Sequence, residues 1–102
     1  MAQLNSGSRR MTATGLLGAT TGVQNNPVTV YSLSWLSSGG GAGVVIMGDG
    51  PSGAVERFRS TGTTSQGATV YFGSNGKYFP NGCYVTIDGN TTYVDVDYSI
   101  QA

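Results

Sequence analysis

The clearest pattern in the chain is an alternation of apolar and polar residues at its C-terminal end. The apolar row is Val94, Val96, Tyr98 and Ile100, and the polar row between them is Asp95, Asp97 and Ser99. A period of two is typical of a β-strand that has one face on a core and the other in water. A shorter alternation precedes it, with Cys83, Val85 and Ile87 in its apolar row.

The residues between these two runs, Asp88-Gly89-Asn90, are typical of a tight hairpin turn. The pattern therefore predicts a C-terminal hairpin, with the Val/Ile rows in the core. Its other face would carry Tyr84, Tyr93, Asp95 and Asp97 together.

Further short strands are predicted over residues 9–14, 28–36, 44–47, 54–60 and 68–72, separated by turns rich in Gly, Ser and Asn. In the second of these the apolar parity switches between Val30 and Tyr31, which predicts a β-bulge there or a strand covered on both faces. Trp35 is expected in the core, with ligand stacking as the alternative. The prediction is all-β: a single antiparallel β-sandwich of about seven strands, Greek-key or jelly-roll-like, with a barrel less favoured. Residues 1–8 are polar and are expected to form a flexible N-terminal arm, followed by the β-sandwich domain over residues 9–102.

Composition narrows the function classes. The chain has 102 residues with five basic and five acidic side chains. Because its net charge is zero, a nucleic-acid partner is not expected. The longest apolar run is too short to cross a bilayer, and no secretory signal is recognised, so synthesis in the cytoplasm is expected.

A lone cysteine, Cys83, excludes an intrachain disulfide and is expected to be a buried thiol.

The chain contains no histidine, which removes the commonest general base and metal ligand. Asp95 and Asp97 share a strand face at a spacing that overlaps that of glycosidase carboxylate pairs. However, an exposed strand face does not provide the pocket that raises the pKa of a catalytic acid. We therefore expect no catalytic residues, no cofactor and no metal, with weak calcium binding by the aspartates as a minor alternative.

Surface contact is the remaining class of function, and the candidate residues are Arg9, Arg10, Arg57, Arg59, Tyr84 and Tyr93. The alternative for Arg57 and Arg59 is a solvated face or cross-strand pairing with Asp95 or Asp97. Outward tyrosines suit either a protein interface or stacking on a sugar ring. Sparse charge favours the protein interface.

The run from Phe79 to Gly89, with its Phe-Pro-Asn-Gly-Cys-Tyr-Val core, resembles a segment of small virion proteins of tailed bacteriophages. The final strand ending Val94-Asp95-Val96-Asp97-Tyr98, and the Val44 to Gly50 run before a Gly-rich turn, share in this resemblance.

The resemblance implies a non-enzymatic structural protein, a capsid decoration (cement) protein on the outer surface of the virion. Its partner would be the major capsid protein, it would assemble as a homotrimer, and its arm would become ordered on the capsid. The alternatives are a neck or tail component, or a tail-tip module that binds carbohydrate or a receptor through Trp35 or an outward tyrosine.

Overall fold

The computed structural model describes residues 3–17, 27–50 and 55–101. Within these residues the chain forms nine strands and no helix. The strands are β1 (Gln3–Met11), β2 (Gly15–Leu17), β3 (Val28–Ser37), β4 (Val44–Asp49), β5 (Val55–Thr61), β6 (Gly67–Tyr71), β7 (Lys77–Phe79), β8 (Cys83–Ile87) and β9 (Thr91–Gln101).

The strands form two antiparallel sheets that pack together. The first sheet has the order β1-β9-β3, and β6 and β7 lie one after the other along the free edge of β3. The second sheet has the order β2-β8-β4-β5. The predicted antiparallel β-sandwich is therefore confirmed.

The core lies between the sheets and is built from the alternate apolar residues of the strands. Its largest fully buried side chains include Trp35, Phe79, Leu17, Leu33 and Met47. Both C-terminal apolar rows contribute to it, since Val85, Val94 and Val96 are fully buried or nearly so. Trp35 is 2% exposed, so its prediction as a core residue is confirmed and stacking on an external ligand is excluded. Cys83 is also buried, and burial, together with the nearby Asp49 carboxylate, raises the pKa of its thiol to about 12.

The parity switch in β3 is a β-bulge, as predicted. Val30 pairs with Tyr98 and Ser32 pairs with Asp97, which leaves Tyr31 as an extra residue on β3. On the other edge of β3, the Tyr31 carbonyl accepts a hydrogen bond from the Phe72 amide at 2.9 Å. The chain leaves the ladder there and returns as β7, so the bulge divides one long edge into β6 and β7.

The structure corrects the prediction for the N-terminal residues. Residues 3–8, expected to belong to a flexible arm, form most of β1, whose register with β9 begins at the Gln3–Gln101 pair. The reason is that β9 is long and would otherwise expose an unpaired edge of N–H and C=O groups. Met1 and Ala2 lie outside the described residues.

The strand count also rises from about seven to nine within the described residues. The two extra strands, β2 and β7, have three residues each, too few for an alternation to be recognised.

The expected C-terminal hairpin is not formed, because β8 belongs to the second sheet and β9 to the first. Neither Gly89 nor Asn90 has the positive φ that a two-residue hairpin turn needs. The turn is instead closed by Asp88, whose Oδ1 accepts hydrogen bonds from the Asn90 amide at 3.2 Å and the Thr91 hydroxyl at 2.8 Å. Turns of ordinary handedness splay the flanking strands. This turn therefore carries the chain from one sheet to the other.

Candidate functional site

The outer face of the first sheet is lined by polar side chains in cross-strand rows, and we name it the polar face. The register between strands gives four rows, running from β1 or β9 to the edge of β3: Ser99–Thr29–Tyr78, Ser8–Asp97–Ser32–Tyr71, Arg10–Asp95–Ser34–Thr69 and Tyr93–Leu36–Gly67. Tyr31, displaced by the bulge, joins this face through its hydroxyl, which lies 3.1 Å from Ser99 Oγ.

Arg10 lies on the polar face, where it contacts a carboxylate and an aromatic ring. Its Nε and Nη2 donate to the two carboxylate oxygens of Asp95 at 2.8 and 2.9 Å. Its guanidinium carbon lies 3.9 Å from the ring centroid of Tyr93, a cation–π distance. The hydrogen bond from Arg10 holds the pKa of Asp95 below its usual value, and the same bond raises the pKa of Arg10.

Asp97 is the second carboxylate of the polar face, and hydroxyl groups stabilise its charge. Its Oδ1 accepts from the Ser8 hydroxyl, and its Oδ2 accepts from the Ser32 hydroxyl at 2.8 Å. The hydrogen bonds from Ser8 and then Ser32 lower the pKa of Asp97, and they outweigh the opposing effects of desolvation and of the charge of Asp95. Because both carboxyl groups are held ionised, neither has the raised pKa of a general acid.

Two tyrosines project from the edge of the polar face. Tyr71 on β6 is 71% exposed, and Tyr78 on β7 is 51% exposed. Their strands pair with β3 through Ser32 and Thr29 respectively, so both rings stand at the same edge on the same face.

The outer face of the second sheet is different, and we name it the apolar face. Its cross-strand rows are Leu16–Tyr84–Gly48–Glu56, Thr86–Ile46–Arg59 and Val44–Thr61. The four large apolar side chains, Leu16, Val44, Ile46 and Tyr84, are half-buried.

An ion pair closes the β5 side of the apolar face. A β-bulge at Arg57 places Glu56 and Arg59 on the same side of β5, where Arg59 Nη2 lies 2.7 Å from Glu56 Oε1. The hydrogen bond from Arg59 lowers the pKa of Glu56. The apolar residues thus have a charged rim.

Asp49 is a buried carboxylate at the end of β4, pointing between the sheets. It is 7% exposed, and it accepts from the Asn81 amide at 3.0 Å, from Asn81 Nδ2 at 3.3 Å and from Arg57 Nη2 at 3.3 Å. Burial raises the pKa of Asp49, but the hydrogen bonds from Asn81 and Arg57 outweigh burial and hold it below the usual value. Asp49 therefore ties the β7–β8 connection and β5 to the end of β4.

The structure separates several residues that the sequence grouped. Tyr84 and Tyr93, expected on one face, lie on opposite outer faces, because β8 and β9 belong to different sheets. Arg57 and Arg59 pair with Asp49 and Glu56 in the second sheet, not with Asp95 or Asp97.

Of the predicted contact residues, the structure brings Arg10 and Tyr93 together on the polar face. Arg9 is exposed and has the opposite orientation along β1, in the register of Met11. Tyr78 was missed, because its strand is too short to show a period. The signal that could have found it is the placement of Tyr78 directly before Phe79, which is fully buried and must point the other way.

Within the described residues, no group of three acidic or cysteine side chains is arranged to hold a metal ion. No helix in the same residues is long and apolar enough to cross a membrane. Comparison of the chain with protein-family models, with curated proteins and with solved structures found no match. The two outer faces and the motif resemblance are thus the basis for a functional proposal.

Proposed function

We propose that this chain is a non-enzymatic structural protein of a bacteriophage virion, a capsid decoration protein that binds the lattice of the major capsid protein and stabilises the head. Two supports carry the proposal. The first is the resemblance of the Phe79 to Gly89 run and the final strand to small phage virion proteins. The second, and the main structural one, is the apolar face.

The apolar face has the composition of a small protein interface. Leu16, Val44, Ile46 and Tyr84 form its half-buried centre, and the Arg59–Glu56 ion pair lies at its rim. Interface centres are depleted in charge and enriched in aromatic residues, whereas their rims are polar. A partner that covers this patch would bury apolar surface that folding leaves partly wet.

Such a contact explains how a small domain could strengthen a shell. A protein seated across a subunit boundary adds buried area that must be broken before the subunits separate. A homotrimer would present three copies of this patch, and its linked contacts would raise the overall affinity through effective concentration. The polar face, on the opposite side of the sandwich, would then point away from the capsid.

Imaging of virions tests the location. We expect electron cryomicroscopy of purified particles of the phage that encodes this chain to show its density on the outer capsid surface. The apolar face should be turned inward. Density confined to the neck or tail would replace the decoration role with the neck or tail alternative. Absence of the chain from purified particles would overturn the proposal.

Binding of the purified chain to capsids that lack it tests the contact surface. Ile46→Lys and Thr86→Arg each place a cation in the apolar face, and Thr86→Arg does so at a position that is already polar. Both should reduce capsid binding at least tenfold, whereas the control Tyr71→Ala, on the polar face, should bind as the parent does. Unchanged binding by folded Thr86→Arg would exclude the apolar face as the contact.

A further inference from the structure

The two exposed tyrosines of the polar face are not explained by folding or by the proposed capsid contact. Tyr71 and Tyr78 leave 71% and 51% of their side chains in water. Tyr71 lies opposite Ser32 and Tyr78 lies opposite Thr29. Because a strand rises roughly 3.3 Å per residue and one of the intervening residues is in the bulge, the Cα atoms of the two tyrosines are about 7–10 Å apart along the sheet edge. Aromatic rings at this spacing along one sheet edge form a platform for flat apolar surfaces.

The neighbouring residues supply the hydrogen-bonding groups that a sugar requires. Ser32 stands beside Tyr71 in the same row and donates to Asp97, whose carboxylate is held ionised. Thr69 and Ser34 follow in the next row, with their hydroxyl oxygens 3.1 Å apart. A hydroxyl group both donates and accepts hydrogen bonds, and a carboxylate accepts several at once. These two rows therefore offer the donors and acceptors that the hydroxyl groups of a pyranose require.

The charged groups of the polar face indicate which class of ligand it could bind. The guanidinium of Arg10 is bound in bidentate fashion by Asp95 and lies over the ring of Tyr93. Asp97 remains as an ionised acceptor without a cationic partner in its row. An anionic polymer would be repelled there, and Ser and Asp side chains are depleted at protein interfaces. A neutral saccharide fits the remaining chemistry.

We propose that the polar face binds a neutral oligosaccharide, with sugar rings stacked on Tyr71 and Tyr78 and sugar hydroxyls bonded to Asp97, Ser32 and Thr69. The site uses the face opposite the apolar face, so it does not depend on the capsid role. A chain seated on a capsid through its apolar face would display this site to the surroundings.

A glycan array that contains neutral and acidic bacterial and plant oligosaccharides, probed with the full chain, tests the proposal. We expect binding to neutral glycans. For the best of them, ¹⁵N-NMR titration should shift amides of β6, β7 and the adjoining part of β3. The double variant Tyr71→Ala/Tyr78→Ala should weaken binding at least tenfold, whereas Tyr71→Phe, which keeps the ring, should retain it.

Tyr84→Ala, on the apolar face, is the matched control and should leave glycan binding unchanged. The proposal is overturned if no glycan binds, if acidic glycans alone bind, or if the double alanine variant binds as the parent does. Because capsid binding is tested by Ile46→Lys and Thr86→Arg, failure of one proposal leaves the other intact.

Discussion

The polar and apolar faces are the two sides of one sandwich, and both are built from strands that bury one row of side chains. On the polar face, Arg10 and Asp95 satisfy each other and hydroxyl groups surround Asp97. On the apolar face, Ile46 and Tyr84 are half-buried by their neighbours and leave carbon surface in contact with water.

The two faces differ in how much their side chains contribute to the stability of the fold. Exposed ion pairs and hydroxyl pairs contribute little to stability, because water competes for each partner. Partly buried apolar side chains contribute in proportion to the area that they remove from water. Substitutions should therefore lower stability more in the second sheet than on the polar face.

The largest difference is expected between two carboxylates, Asp49 of the second sheet and Asp95 of the first. Asp49→Ala removes the acceptor of three hydrogen bonds at a buried position and leaves the Asn81 amide unpaired. We expect it to lower the free energy of unfolding by about 2–4 kcal/mol, measured by urea denaturation.

Asp95→Ala is the control for Asp49→Ala, since it removes a carboxylate whose partner Arg10 is exposed and can turn to water. Its loss of stability should be far smaller. Equal losses for the two variants would contradict the assignment of Asp49 as a buried anchor.

The next largest effect is expected at the centre of the apolar face. Ile46→Ala removes three carbon atoms from a half-buried site, which should lower the free energy of unfolding by about 1 kcal/mol. The control Ser34→Ala breaks an exposed hydroxyl pair with Thr69 on the polar face and should cost less in the same denaturation experiment. A larger loss for Ser34→Ala would reverse the order of the two faces.

The sequence correctly predicted which residues of a strand point to the core, but it did not predict which strands pair with each other. Alternation correctly gave the buried rows that include Val85 and Val96, and the parity switch gave the bulge at Tyr31. Alternation does not, however, state to which sheet a strand belongs. The composition of the Asp88-Gly89-Asn90 turn predicts a hairpin, but whether a glycine adopts a positive φ is decided only in the folded chain, and Gly89 does not adopt one.

Because alternation does not state to which sheet a strand belongs, it also could not predict which candidate residues share a face. Tyr84 and Tyr93 both point outward, as predicted, but from opposite faces. The alternative cross-strand pairing of Arg57 with Asp95 or Asp97 failed for the same reason, since these residues are in different sheets. The pairing of Tyr71 with Ser32 through β6 likewise follows only from the strand order.

A smaller effect is expected from pH. The pKa of Asp49, Asp95 and Asp97 is lowered in the folded chain, whereas an unfolded Asp has a pKa of about 3.9. Their stabilising contribution is therefore complete above about pH 4 and is lost as pH falls through the lower, folded values. The urea midpoint should be constant from pH 7 to 5 and should fall below pH 4.

Asp97→Asn measures how much the polar-face carboxylate Asp97 contributes to this pH dependence. It removes one of the groups that must take up a proton, so its urea midpoint should fall less steeply below pH 4 than that of the parent. An identical pH dependence would show that the hydroxyl groups of Ser8 and Ser32 do not stabilise the charge of Asp97.

The smallest effect is expected at the Arg10–Asp95 pair, an exposed contact of the polar face. A double-mutant cycle with Arg10→Ala and Asp95→Ala should give a coupling energy below the cost of Ile46→Ala, because both side chains are well exposed. The coupling should shrink further in 1 M salt, where the Debye length is about 3 Å. Arg10→Lys is the discriminating variant, since it keeps the charge and loses both the bidentate geometry and the guanidinium contact with the Tyr93 ring. If Arg10→Lys retained the full coupling, charge alone would account for the pair, and the guanidinium geometry would contribute nothing to it.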